Sequence, residues 1–353
     1  MLAPSRFSPL ARLARMRALG LFAVAALVLT ARPAVAADLP VSAVSEDSAM
    51  AIWADIASVE PQEVEESLTA IRGFLDTMKD GPMGGELGDQ EMLDPLQGAQ
   101  KFAEFRTAFT NAGGRAIAMI GTPDEFGDMD EPVVVIKIEG AYDPDGLKAA
   151  FAMLDDDAEM DDVEFAELEP GWLVAEGDDA GEVPQNPSAA RTAELVSYFG
   201  PQAGRPMALV FVPTAEMKAD MAQGGPGPAA EFGPALSKCN AMSMGVSLGG
   251  APSLKLNAAF PEAQSATEFQ TAYTGMMGQL QAGLTQFVQM MAGQQQPGMP
   301  PMPNNEQVQS FFGSLALQGQ GVDRSILIDS GTLNNAASML PLVMMGMMGG
   351  MGG

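Results

Sequence analysis

Residues 49–58, AMAIWADIAS, and residues 207–212, MALVFV, are two short apolar runs, each followed closely by a proline, Pro61 and Pro213. Each reads as a buried strand. A proline just behind it suits the first turn of a helix, where the missing N–H costs nothing. After the first run, Val64, Leu68, Ile71, Leu75 and Met78 recur at steps of three and four, the apolar face of a helix. After the second, a shorter helix is expected from Thr214. Both stretches then reach a Gly/Pro-rich loop, 80–88 and 224–228, and a second helix; in the first, Phe102, Phe105 and Phe109 form its inward stripe.

The same order continues outward from there. Strands over 116–121 and 133–139 flank an acidic turn, and strands over 241–248 and 253–260 flank Gly249-Gly250-Ala251-Pro252. Leu254, Leu256 and Ala258 alternate with Lys255 and Asn257, the period of a sheet with one wet face. A further helix follows in each half. Asp143 caps one, with Pro144 behind it and Leu147, Phe151 and Leu154 inward. The other carries Phe269, Tyr273, Met276, Leu280, Leu284, Phe287 and Met291 at helical spacing. Polar loops over 155–162 and 293–305 lead to final hairpins, 163–168 with 172–176 and 314–317 with 325–329, and then to trailing helices over 190–199 and 332–340.

This pattern predicts an α+β fold of internally duplicated β-α-β-β-α-β-β units, with antiparallel sheets and helices on one face. The expected organisation is a signal peptide over 1–36, a first acidic unit over 37–200, a second unit over 201–345, and a disordered Gly/Met tail over 346–353.

The leader rests on Arg6, Arg12, Arg15 and Arg17, an apolar stretch from Ala18 to Leu29, and an A-x-A site at Ala34-Val35-Ala36. An apolar run of about 12 residues is too short to span a bilayer, which needs roughly 20. No cysteine follows it to take a lipid. The expectation is cleavage before Ala37, with no membrane span afterwards and a periplasmic or extracellular location.

The formal charge is −27, and removing the leader with its five arginines makes it −32. Residues 37–186 carry 36 acidic and 7 basic side chains, whereas 187–353 carry 9 and 6. So negative a surface excludes sequence-independent nucleic-acid binding, which needs clustered Lys and Arg. It favours a cationic or cell-envelope partner. Cys239 is alone, so no intrachain disulfide forms, and its apolar surroundings suit a small buried hydrophobe.

No histidine is present, which removes every mechanism that uses imidazole as base, shuttle or metal ligand. Gly245-Val246-Ser247-Leu248-Gly249 matches the G-x-S-x-G elbow, but that motif needs a strand-to-helix turn and a histidine. Here Ser247 lies in an expected strand that runs into a Gly-Gly turn. Ile326-Leu327-Ile328-Asp329-Ser330-Gly331-Thr332 resembles the catalytic signature of aspartic proteases, yet the matching place in the first half ends in Glu176-Gly177-Asp178. Asp-Ser-Gly at a strand exit needs no catalytic explanation.

Two acidic turns offer oxygen ligands for a hard cation: Asp124, Asp128 and Asp130, and Asp155, Asp157 and Asp161. Neither follows the order of a calcium-binding helix–loop–helix, so only weak Ca²⁺ binding is expected, with no other cofactor. The 27 methionines, among them Met276-Met277, Met290-Met291, Met299, Met302 and Met344-Met345, raise Cu(I) ligation as an alternative, although several fall on the inward stripe of the long helix. The sequence therefore predicts an exported, non-enzymatic binding or envelope-associated scaffold protein. The rival is a carboxylate-dependent hydrolase acting outside the cytoplasm, which needs no histidine.

Overall fold

The computed structural model describes residues 38–69, 95–123, 132–154, 163–177, 181–223, 232–249, 251–292, 303–332 and 335. Residues 1–36 and 346–353, and all six aspartates proposed as cation ligands, lie outside them. Among the described residues nine strands pair antiparallel and are interleaved with helices, an α+β fold. The chain divides into two compact units. Unit 1 holds 1–68, 93–214 and 241–252; unit 2 holds 69–92, 215–240 and 253–353.

In unit 1, β1 (Met50–Ala54), β2 (Gly114–Gly121), β3 (Val133–Ile138), β4 (Glu164–Glu169), β5 (Trp172–Glu176), β6 (Met207–Phe211) and β7 (Ala241–Ser247) lie in the order β4-β5-β3-β2-β1-β6-β7. The apolar runs at 49–58 and 207–212 thus supply neighbouring interior strands: Met50 pairs with Phe211, Ile52 with Leu209 and Ala54 with Met207. Because β1 and β6 share a ladder, unit 1 takes β6 and β7 as well, and the division into compact units cuts across residue 200.

β2 shows why the sheet is thick. Ala116, Ala118 and Ile120 are buried on one face, and Arg115, Ile117 and Met119 are half-buried on the other. The first face joins Trp53, Val135, Val174 and Val210 to Leu195 and Phe199 of α4 (Ala189–Phe199), which Ser188 caps by accepting from Arg191 N–H. Trp53 and Trp172 meet there edge to face, 6.2 Å apart. The opposite face carries α2 (Pro95–Asn111) and α3 (Pro144–Ala152). Phe105 and Phe109 of α2 stack at 5.5 Å, both meet Phe151 of α3 at 6.0 Å, and Phe151 meets Phe165 of β4 at 5.8 Å. The expected Asp143 cap forms, accepting from Asp145 N–H. Helices on one face describes α2 and α3; α4 lies on the other. The reason is that both faces of β3 and β5 are apolar, so each needs cover.

Unit 2 contains α5 (Ala215–Ala222), α6 (Phe232–Leu236), the strands β8 (Ser253–Ala259) and β9 (Asp323–Ile328), and α7 (Ala263–Ala292) and α8 (Asn305–Ser314). Leu254 pairs with Ile328 and Leu256 with Ile326. α8 extends through residues expected to begin a strand at 314. Asn304 and Gln307 form a reciprocal capping box, and Val308, Phe311 and Phe312 then fall on one helical face. None of 314–317 is strand; just beyond it Gln318 makes an isolated bridge to Ser325.

Candidate functional site

Pro61 opens a helix over 61–69, α1, which buries Val64, Ser67 and Leu68. Its other face therefore presents Gln62, Glu65 and Glu66. α2 buries Ala99, Phe102 and Phe105, leaving Gln100 exposed and Ala103 half-buried. Between these two helices of unit 1 lies an open groove of about 660 Å³, lined by Pro61, Gln62, Glu65, Glu66, Ala99, Gln100 and Ala103. Among the described lining residues the floor is small and apolar, and the walls carry two carboxylates and two amides and no basic side chain. Gln62 donates to Glu66 at 3.0 Å, which fixes one wall. The nearby Arg106 is turned to the backbone: it donates to the Ala57 carbonyl at 2.9 Å and lies 3.5 Å from Glu60.

A second cluster is internal. Asp55, just past β1, is fully buried, and Arg115 Nη2 of β2 lies 3.6 Å from its carboxylate. Arg115 also pairs with the exposed Glu139. Burial alone pulls the guanidinium down, but its hydrogen bond to Glu139 and the charges of Asp55 and Glu139 outweigh it and hold it above its ordinary value. The two carboxylates that this cluster gathers thus share a permanent cation instead of a proton. That arrangement neutralises a buried charge.

Arg191 on α4 performs a related service at the centre of the sheet. It donates to the Ser48 carbonyl at 2.7 Å and the Val212 carbonyl at 2.8 Å, at the ends of β1 and β6, and pairs with Glu194 at 2.6 Å.

The motif residues have structural duties. Ser247 ends β7. A Cβ at Gly245 would collide with Gln202 Oε1 and lie 2.7 Å from Arg205 Cδ, so that glycine lets these two side chains cross the strand. Gly249 has φ 98° and donates its N–H to Ser67 Oγ at 3.0 Å, tying the turn to α1. Asp329 accepts from the Thr332 N–H at 2.8 Å and the Thr332 hydroxyl at 3.0 Å, and these bonds hold its carboxyl below the ordinary value. It is a helix N-cap, which explains Asp-Ser-Gly-Thr without catalysis. Cys239 is fully buried, and desolvation pushes its thiol up to about 11.

Sequence reasoning did not single out Asp55, Arg115 or Arg191. The available signal was an arginine opening an otherwise apolar strand in β2 and an aspartate closing one in β1. Nor did it single out the groove, whose two walls are set about forty residues apart. Among the described residues no three His, Cys, Asp or Glu side chains gather as for a metal ion, and no helix is long and apolar enough to cross a membrane. No family model, no curated protein and no solved structure matches the chain.

Proposed function

We propose that this chain is an exported, non-enzymatic binding protein whose groove between α1 and α2 takes a cationic group, such as the amine of a polyamine or of a basic peptide from the cell envelope. The observation that carries this reading is the groove itself: Glu65 and Glu66 stand over an alanine floor with no base among the described lining residues. The 36 acidic against 7 basic side chains of residues 37–186 add a long-range attraction for the same ligand. Export rests on the arginine-rich leader and the Ala34-Val35-Ala36 site. The hydrolase reading gains nothing from Asp55 and Glu139, because Arg115 stands between them.

The reading of the chain as two diverged copies is part of the proposal. It is supported by matching pairings, β1 with β2 and β6 with β7 in unit 1, β3 with β5 in unit 1 and β8 with β9 in unit 2.

Titration calorimetry with spermidine tests the groove. Binding is expected at low salt and is expected to fade at high salt, since exposed charges are screened over about 8 Å at physiological ionic strength. The double variant Glu65→Gln, Glu66→Gln should weaken it several-fold. Wild-type binding that ignores the double variant, or no binding at low salt, overturns the proposal.

A further inference from the structure

Among the described residues, helix α7 is well covered near both ends and only partly covered between them. At its start Ala266, Phe269 and Tyr273 are buried; the Phe269 ring lies 5.1 Å from Phe260 and 5.3 Å from Phe232, and the Tyr273 hydroxyl donates to the Leu315 carbonyl at 2.7 Å. Near its end Val288 is buried against Val308 of α8, with Leu284, Phe287, Phe311 and Phe312 around the pair. In the middle the apolar stripe continues but the described residues cover it only in part. Leu280 is 46 % exposed, Met276 and Met277 are half-buried, and a Cβ at Gly275, Gly278 or Gly283 would meet open space.

Charge says what can cover this stretch. From Phe269 to Ala292 there is no Asp, Glu, Lys or Arg, in a chain whose formal charge is −27, and α8 adds only Glu306. Two copies of so negative a chain repel where charged surfaces meet. This face is one on which they can approach without that cost. Leu280 sits at the middle of the uncharged span, where a two-fold axis must fall for the span to cover itself.

We propose that two copies of this chain associate through α7, as an antiparallel helix pair about a two-fold axis at Leu280, with Met276, Met277 and Leu284 of each copy beside it. Gly283, at the edge of the stripe, leaves room for the second helix, and the flexible methionines fill the seam. The association is independent of the groove and responds oppositely to salt. Screening weakens cation capture and strengthens the contact of two anionic chains.

Sedimentation equilibrium of the protein at low and high salt tests this. A dimer is expected, tighter at high salt, and Leu280→Glu should raise its dissociation constant at least about tenfold, whereas Val322→Glu, at another exposed apolar position of unit 2, should not. In the Leu280→Cys variant, oxidation should link the two copies, because the native Cys239 is fully buried and does not compete. A monomer at both salt concentrations overturns the proposal, as does a dimer that tolerates Leu280→Glu and yields no Leu280→Cys cross-link. So does a monomer that instead binds neutral phospholipid vesicles through Leu280.

Discussion

Unit 1 and unit 2 use the same kinds of element to different depth. In unit 1 both faces of the sheet are covered, and Trp53, Phe105, Phe109, Ile120, Leu173 and Leu195 are essentially inaccessible to water. In unit 2 the strands are half-exposed, the apolar face of Leu254, Leu256, Ile326 and Ile328 is only partly covered, and Leu280, Met290, Val322 and Leu327 stand at the surface. Cover, more than composition, separates them. Unit 1 has α4 on one face and α2 with α3 on the other, whereas α7 meets α8 at Leu284, Phe287 and Val288, near its end. A shared order of elements therefore does not fix a shared core. The helices that come after each strand pair decide how much apolar surface leaves water.

The largest test of that contrast is to hollow out each region. Phe105→Ala removes a ring packed against Phe102, Phe109 and Phe151 and should cost about 3–5 kcal/mol in urea unfolding, as for other buried aromatics. Met290→Ala, at a side chain 58 % exposed, should stay within about 0.5 kcal/mol. Equal losses would show that the two units are buried to the same depth.

The clamp on the central strands comes next. Arg191→Met keeps the stem but removes two charged hydrogen bonds to the Ser48 and Val212 carbonyls, and should cost about 2–3 kcal/mol. Near-UV circular dichroism should register it through the Trp53–Trp172 pair, and an unchanged melting curve would mean that the β1–β6 ladder holds without α4.

Gly245→Ala puts a methyl into Gln202 and Arg205 and is expected to cost about 1–3 kcal/mol. Thermal unfolding checks it, and a neutral result would show that those side chains have room to move.

In unit 2 the cap at Asp329 is worth less. Asp329→Ala should cost about 1 kcal/mol, and Asp329→Asn almost nothing, because Asn caps as well. The carboxyl is depressed in the folded state, so its contribution is present above the unfolded value and is lost as pH falls through the folded one. Wild type should therefore exceed Asp329→Ala by this margin at neutral pH and lose part of it in the acid range below about pH 4. A margin that already vanishes near neutral pH would assign Asp329 another role.

The smallest effect is kinetic. Cys239, buried and held near 11, should react with a disulfide reagent only as fast as the protein opens. Immediate reaction in the native state would place a gap in unit 2 beside the thiol.

Much of the fold is legible in the residues. Asp143-Pro144 and the Phe102, Phe105, Phe109 stripe are local signals, and each forms the cap or face expected of it. β8 also lies where alternation puts it, and β4 and β5 lie where the final hairpin of the first half is expected. The strand expected over 314–317 is largely helix end and turn because Asn304 and Gln307, a capping box three residues apart, start a helix that runs into it. On α7 the helical spacing predicts an inward stripe along its whole length, but periodicity reports which residues share a face and is silent on what meets that face. Leu280 shares the stripe and is exposed.

What the sequence by itself determined was local and additive: turn chemistry, caps, strand and helix periods, the absence of imidazole, and the charge imbalance between residues 37–186 and the rest. Each depends on neighbours within a few positions or on a sum over the chain. Only the tertiary structure decided that β1 and β6 lie side by side, that Arg115 joins Asp55 to Glu139, that Gly245 makes way for Gln202, and that α1 and α2 enclose an acidic groove. Those pairings join residues far apart in the chain. They are selected by which buried faces and buried charges must be satisfied together, a condition that no single stretch of sequence states.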